Sequence, residues 1–194
     1  MARHTPVTLD RLSEAQAAFW REVTEGDRKR VKKPEEFLDE NGSLRGPFGP
    51  WLHLPETALC VLLVSSALRF KGRLPARQRE IAILCVAAHW RADYVWRSHE
   101  AFSLKEGIGP DSIAAIKEGR PPAEPDERVI YDVAWPLLAQ GRVPGEAFDA
   151  AKQALGEALL VELVLLVGQY SLVAMTVGAF DVPAAPGADP VFPR

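Results

Sequence analysis

Apolar residues recur every three or four positions along most of this chain, and strict alternation is nearly absent. That is the signature of helices rather than strands. Ser13 followed by Gln16 forms a capping box, and Ala17, Phe19, Trp20 and Val23 continue a helical stripe that stops near Gly26. A second helix opens at Pro55 and runs to Gly72, with proline just inside its start and glycine just past its end. A third opens at Pro75 and carries Ile81, Leu84, Cys85 and Ala88 on one side. Beyond Arg91-Ala92-Asp93 a fourth runs through Tyr94, Trp96, His99, Phe102 and Leu104 to Gly107, with Asp93 as its expected cap. Short helices over 110–118 and 126–140 follow, the second bent or broken near Pro136. A helix from Pro144 to about Leu155 precedes a long apolar one over 158–179. The pattern predicts an all-α protein.

Two stretches depart from it. Residues 27–54 begin basic and end rich in Gly, Pro and aromatics, with Asn41-Gly42 as a turn signal. Long irregular stretches of this kind are often functional. The segment after Asp181 holds four prolines and is expected to wrap a neighbour or stay mobile. The chain therefore divides into an N-terminal helix and pocket-covering segment (1–54), a helical domain (55–181) and a proline-rich tail (182–194).

Composition narrows the class. With 194 residues, 47% hydrophobic and 25% charged, the chain can bury a core without metals or disulfides. A net charge of −3 supplies no field for nucleic acid, and the basic run Arg28–Lys33 reads as a solvated helix end. The opening residues lack the apolar stretch of a secretory signal. Residues 158–179 are long enough to span a bilayer, but they carry Glu162 and lack flanking cations. They are expected to be buried in a domain centre or a subunit interface, which makes the protein cytoplasmic and free of the membrane. Cys60 and Cys85 sit in apolar runs and read as buried hydrophobes. No two histidines have metal-ligand spacing, so no structural or catalytic metal such as zinc is expected.

Candidate chemistry concentrates in residues 74–109. Glu80 lies in the first turns of a mostly apolar helix, where a lone Glu is ordinarily solvated or paired with a neighbour such as Arg77. His99 follows 19 residues later among Tyr94, Trp96 and Phe102. On a helix, Ala92, Val95, Trp96, His99 and Ser103 share one face. Histidine titrates near neutrality, and a carboxylate partner would fix its tautomer. Elsewhere, His53 beside Trp51 and Phe48, near Arg45, either walls a site for an acidic or aromatic ligand or closes a core under a loop. His89 and Trp90 end an apolar helix and read as packed or exposed surface.

This stretch resembles the carboxymuconolactone decarboxylase and AhpD-like alkylhydroperoxidase superfamily. The family pattern is a helix-borne Glu, a C-x-x-C beginning twelve residues later, and a His four residues past the second cysteine. Glu80 and His99 stand at that spacing. The upstream GPFGPWLHLPE, with Leu74-Pro75 and Arg79-Glu80, is similar to the longer decarboxylase-like branch. The two cysteine positions are Ala92 and Val95 here, and many Cys-less relatives carry Glu at the position of Val95.

The resemblance implies an AhpD-like helical bundle that assembles as a homo-oligomer, a trimer or hexamer. It also implies a cofactor-free, decarboxylase-like lyase acting on a small carboxylated or lactone substrate. His99 would transfer the proton and Glu80 would orient it. Arg91 or Arg45 would bind the substrate carboxylate, with Tyr94, Trp96, Trp51 and His53 in the pocket wall. Two other functions compete. A peroxidase would need thiols that Ala92 and Val95 cannot supply. A non-catalytic ligand-binding or assembly protein would keep the fold without the chemistry.

Overall fold

A computed structural model describes residues 2–184 and 189–193. Among these residues the regular structure is helical, with one isolated bridge between Leu38 and Leu44. The chain forms two compact units, Met1–Lys71 with Thr176–Pro183, and Gly72–Met175 with Ala184–Arg194. The boundary differs from the expected break at residue 54. The helix α3 (Pro55–Ser66) packs on α1 (Glu14–Glu25), because Ala58 and Leu62 complete the core that Phe19 and Val23 begin.

In the first unit the capping box forms as read. Gln16 donates its backbone N–H to Ser13 Oγ and accepts the Ser13 amide on its side chain. Phe37, Leu44, Phe48 and Leu52 close the same core from the irregular segment. That segment is built from 3-10 turns at Asp27–Arg30 and Pro34–Phe37 and the single turn α2 (Phe48–Trp51). Asp39 Oδ1 accepts the amides of Asn41 and Ser43 around Gly42, whose φ of 75° needs glycine. Arg28 is the exception to the solvated reading of the basic run, in which Lys29, Arg30 and Lys33 are exposed. It is buried, donates to Ser65 and Ser66 hydroxyls at 2.9 Å each, and lies over the Phe48 ring. An Arg stem covers apolar surface well, and two hydroxyls satisfy part of its fork.

The second unit is organised round α4 (Ala76–His89), against which α5 (Asp93–Lys105), α6 (Pro110–Lys117) and α7 (Pro125–Gln140) pack. Every residue from Glu80 to Ala88 is buried, so α4 has no solvent side and the one-sided stripe expected for it was too narrow. The helix α7 runs through Pro136 without the break that was one of the two outcomes expected there. Proline there removes one hydrogen bond in the last turns, and packing on α4 holds the rest. Asp93 is the first residue of α5 and not its cap; its carboxylate accepts the Phe192 amide instead. Residues 189–193 thus fold back on their own chain, where the proline-rich tail was expected to wrap a neighbour or stay mobile.

The remaining helices are α8 (Gly145–Leu155) and α9 (Glu157–Ala179). Among the described residues, α9 alone is long and apolar enough to cross a membrane, yet only 39% of its most apolar window is buried. Burial in a domain centre or a subunit interface is the expectation; within the single chain Leu163, Leu166, Val167 and Tyr170 face inward while Val161, Leu165 and Met175 are exposed. Glu162 is explained by its partners: it accepts the consecutive amides of Arg73 and Leu74 at 3.0 Å each, tying α9 to the strand of chain that enters α4.

Candidate functional site

Proline 75 starts α4 and places Glu80 in its second turn, while the corner at Arg91, in the left-handed region at φ 51°, reverses the chain into α5. Two turns along α5, His99 reaches back to α4. His99 Nδ1 lies 2.6 Å from Glu80 Oε2, and both side chains are buried, 5% and 2% exposed. An ionised carboxylate only accepts, so with Glu80 charged Nδ1 donates and Nε2 becomes the ring nitrogen on the opposite side of the imidazole. Arg79 Nε stands 3.6 Å from Glu80 Oε1, an ion-pair distance without a hydrogen bond. Arg77, the neighbour that spacing offered to Glu80, is bound elsewhere, to the Gly107 carbonyl, Asp126 and buried Glu127.

The wall round the imidazole is aromatic. Tyr170 of α9 meets His99 edge-on at 5.1 Å, and Phe102 lies at 6.0 Å. Ser103 donates to the His99 carbonyl at 2.9 Å. Ala92, Val95, Trp96, His99 and Ser103 are all buried, as their shared face requires. Sequence reading missed Tyr170 and Arg79 as neighbours of the pair. The available signal for Tyr170 was a lone aromatic hydroxyl on the inward side of an aliphatic helix.

The other candidates separate. Trp96 is fully buried under Phe192, at 5.4 Å between ring centroids, with Lys117 at 6.0 Å. Arg91 is exposed and donates to the Pro193 carbonyl, and Tyr94 is half-buried. Trp51, His53 and Arg45 belong to the first unit and have their own partners there. Trp51 Nε1 donates to Thr176 Oγ1 at 3.2 Å, His53 Nε2 is 2.9 Å from the Thr5 carbonyl, and the Arg45 amide donates to the Phe37 carbonyl. His53 and Arg45 are exposed. His89 sits edge-on to Trp90 and Trp135, and burial lowers its pKa.

Thiol chemistry has little to work with. Cys85 is fully buried on α4, and desolvation pushes its thiol far up. Cys60, expected to be buried, is exposed on α3 in the other unit, because its side of α3 faces away from the Ala58–Leu62 core. A thiol reagent such as 5,5′-dithiobis(2-nitrobenzoate) is expected to label Cys60 in the native protein within minutes and Cys85 only after denaturant is added. Two labels released together without denaturant would contradict this burial.

No protein-family model and no curated protein matches this sequence. Solved structures do match it. One is the alkylhydroperoxidase AhpD core of an uncharacterized peroxidase-related protein from Ralstonia eutropha JMP134. It is 16% identical with a TM-score of 0.72, over 95% of this chain and 93% of that one. Another is the debrominase Bmp8, a cysteine-to-alanine variant in complex with 2,3,4-tribromopyrrole. It is 13% identical with a TM-score of 0.67, over 96% of this chain and 95% of that one. Identity this low carries a fold and not an activity.

Proposed function

On this AhpD-like all-α fold, we propose that the chain is a cofactor-free, decarboxylase-like lyase for a small carboxylated or lactone substrate. The observation that carries the reading is the buried 2.6 Å contact between His99 Nδ1 and Glu80 Oε2. A carboxylate holding Nδ1–H orients the ring and favours its protonated form, which leaves Nε2 to exchange the proton with substrate. Loss of carbon dioxide breaks a carbon–carbon bond and leaves the electron pair on carbon, delocalised into an adjacent carbonyl as an enolate. His99 delivers a proton to that carbon and recovers one from water. Arg79, paired with Glu80, keeps the carboxylate ionised through this exchange. Negative charge on the enolate needs donors at the place where it develops.

Ala92 and Val95 stand on the same face as His99, and neither can attack a peroxide. Together with the buried Cys85, they make thiol peroxidase the weaker reading. The test is a panel of unsaturated lactone and 3-oxo carboxylic acids in deuterium oxide, read by carbon dioxide release and by deuterium at the protonated carbon. Hydroperoxide consumption that depends on Cys60 or Cys85, with no carbon dioxide from any acid, would favour the peroxidase.

We also infer a homo-oligomer that uses the outward side of α9. Val161, Leu165, Gly168 and Met175 repeat at four-, three- and seven-residue steps, the seam spacing of paired helices, and are exposed. Leu165→Lys with Met175→Lys is expected to leave a monomer by light scattering. An unchanged mass would place any assembly on another face.

A further inference from the structure

The C-terminal residues 189–193 lie on the first turns of α5. Phe192 is 6% exposed, its ring edge-on to Trp96 at 5.4 Å, and its amide donates to Asp93 Oδ1 at 3.0 Å. Arg97 donates to the Asp189 carbonyl and Arg91 to the Pro193 carbonyl. The Arg91 guanidinium is 5.8 Å and Lys117 Nζ 5.9 Å from the Phe192 ring. An aromatic floor, two cations and one carboxylate therefore surround a single phenyl ring, and a third cation, Arg97, holds the chain just before it.

The occupant fits this cleft only in part. Two guanidiniums are spent on neutral carbonyls, although hydrogen bonds between ionised partners are about twice as strong as neutral ones. Trp96 Nε1 is buried beneath the ring without a hydrogen-bond partner, and a buried donor left unpaired costs about 1–3 kcal/mol. A ring that carries its own carboxylate would keep the contact with Trp96 and give Arg91 an anion.

We propose that this cleft binds a small aryl carboxylate and that residues 189–193 are its displaceable internal occupant. Its floor, Trp96, shares the face of α5 that carries His99, so the assignment rests on the proposed function for its part in catalysis, narrowing the acid to one with a planar ring. Binding itself needs only the cleft. A segment docked nine times out of ten weakens the apparent affinity of a competing ligand about tenfold.

The probe is 3-phenylpropionate, titrated by calorimetry into the full chain, a chain ending at Pro183, and full-length Phe192→Ala. Both altered chains are expected to bind it at least tenfold tighter than the full chain. Adding Arg91→Ala to Phe192→Ala should return that gain, and neutral 3-phenylpropanamide should bind at least tenfold more weakly than the acid. The proposal is overturned if Phe192→Ala, folded by circular dichroism, binds the probe within twofold of the full chain. It is equally overturned if the amide binds as well as the acid, or if Phe192→Ala fails to fold, since the segment would then be structural. No turnover is read, so an inactive His99 leaves this result standing, and a failed titration leaves the proton chemistry untouched.

Discussion

Replacing His99 with alanine is expected to lower turnover by about 10²- to 10⁴-fold, the range a positioned proton donor contributes. The loss should fall on kcat and leave KM nearly unchanged, because the imidazole acts on the carbon that forms in the reaction and not on the carboxylate that anchors the acid. Glu80→Gln is the informative companion. It keeps an acceptor within reach of Nδ1 but removes the charge that favours the imidazolium, so its loss should be smaller and confined to the protonation step. A solvent deuterium effect separates the cases: it should grow in Glu80→Gln, where proton delivery is slower. Full turnover in both variants on a substrate the parent decarboxylates would remove the mechanism.

The same pair should dominate stability. Glu80→Ala deprives a buried imidazole and the half-buried Arg79 of their shared anion, and breaking a buried pair from one side costs about 3–5 kcal/mol. For a chain of this size each kcal/mol lowers Tm by roughly 2–4 °C, so melting should fall by about 6–20 °C. His99→Ala strands the carboxylate instead and should cost a similar amount. The double variant Glu80→Leu with His99→Leu, which leaves neither charge inside, is expected to recover much of the loss. Denaturant melts of the four proteins measure these differences. A Glu80→Ala chain within 1 kcal/mol of the parent would mean that water reaches the pair, contrary to its burial.

Much of this architecture could be read from local patterns. Ser13 and Gln16 cap α1 as a four-residue motif, and Asn41-Gly42 turns where a positive φ is needed; both are decided by neighbours in the chain. The common face of Ala92, Val95, Trp96, His99 and Ser103 followed from helical period alone. Misreadings arose where a residue meets something distant. Arg28 looked solvated in a basic run, but Ser65 and Ser66 of α3 receive it. Asp93 looked like a cap, but its carboxylate holds Phe192, 99 residues away. Trp51, His53 and Arg45 were grouped with the histidine by their chemistry, whereas their contacts lie within the first unit.

The sequence by itself determined an all-α chain, the helix ends, and which residues share a helical face, because those depend on a 3.6-residue period and on caps a few positions long. Only the tertiary structure decided that Glu80 meets His99 and Arg79 and not Arg77, that Tyr170 stands edge-on to the imidazole, and that α9 keeps an apolar side exposed. Such meetings depend on how separate helices pack, and a period within one helix carries no information about which face of another it will find.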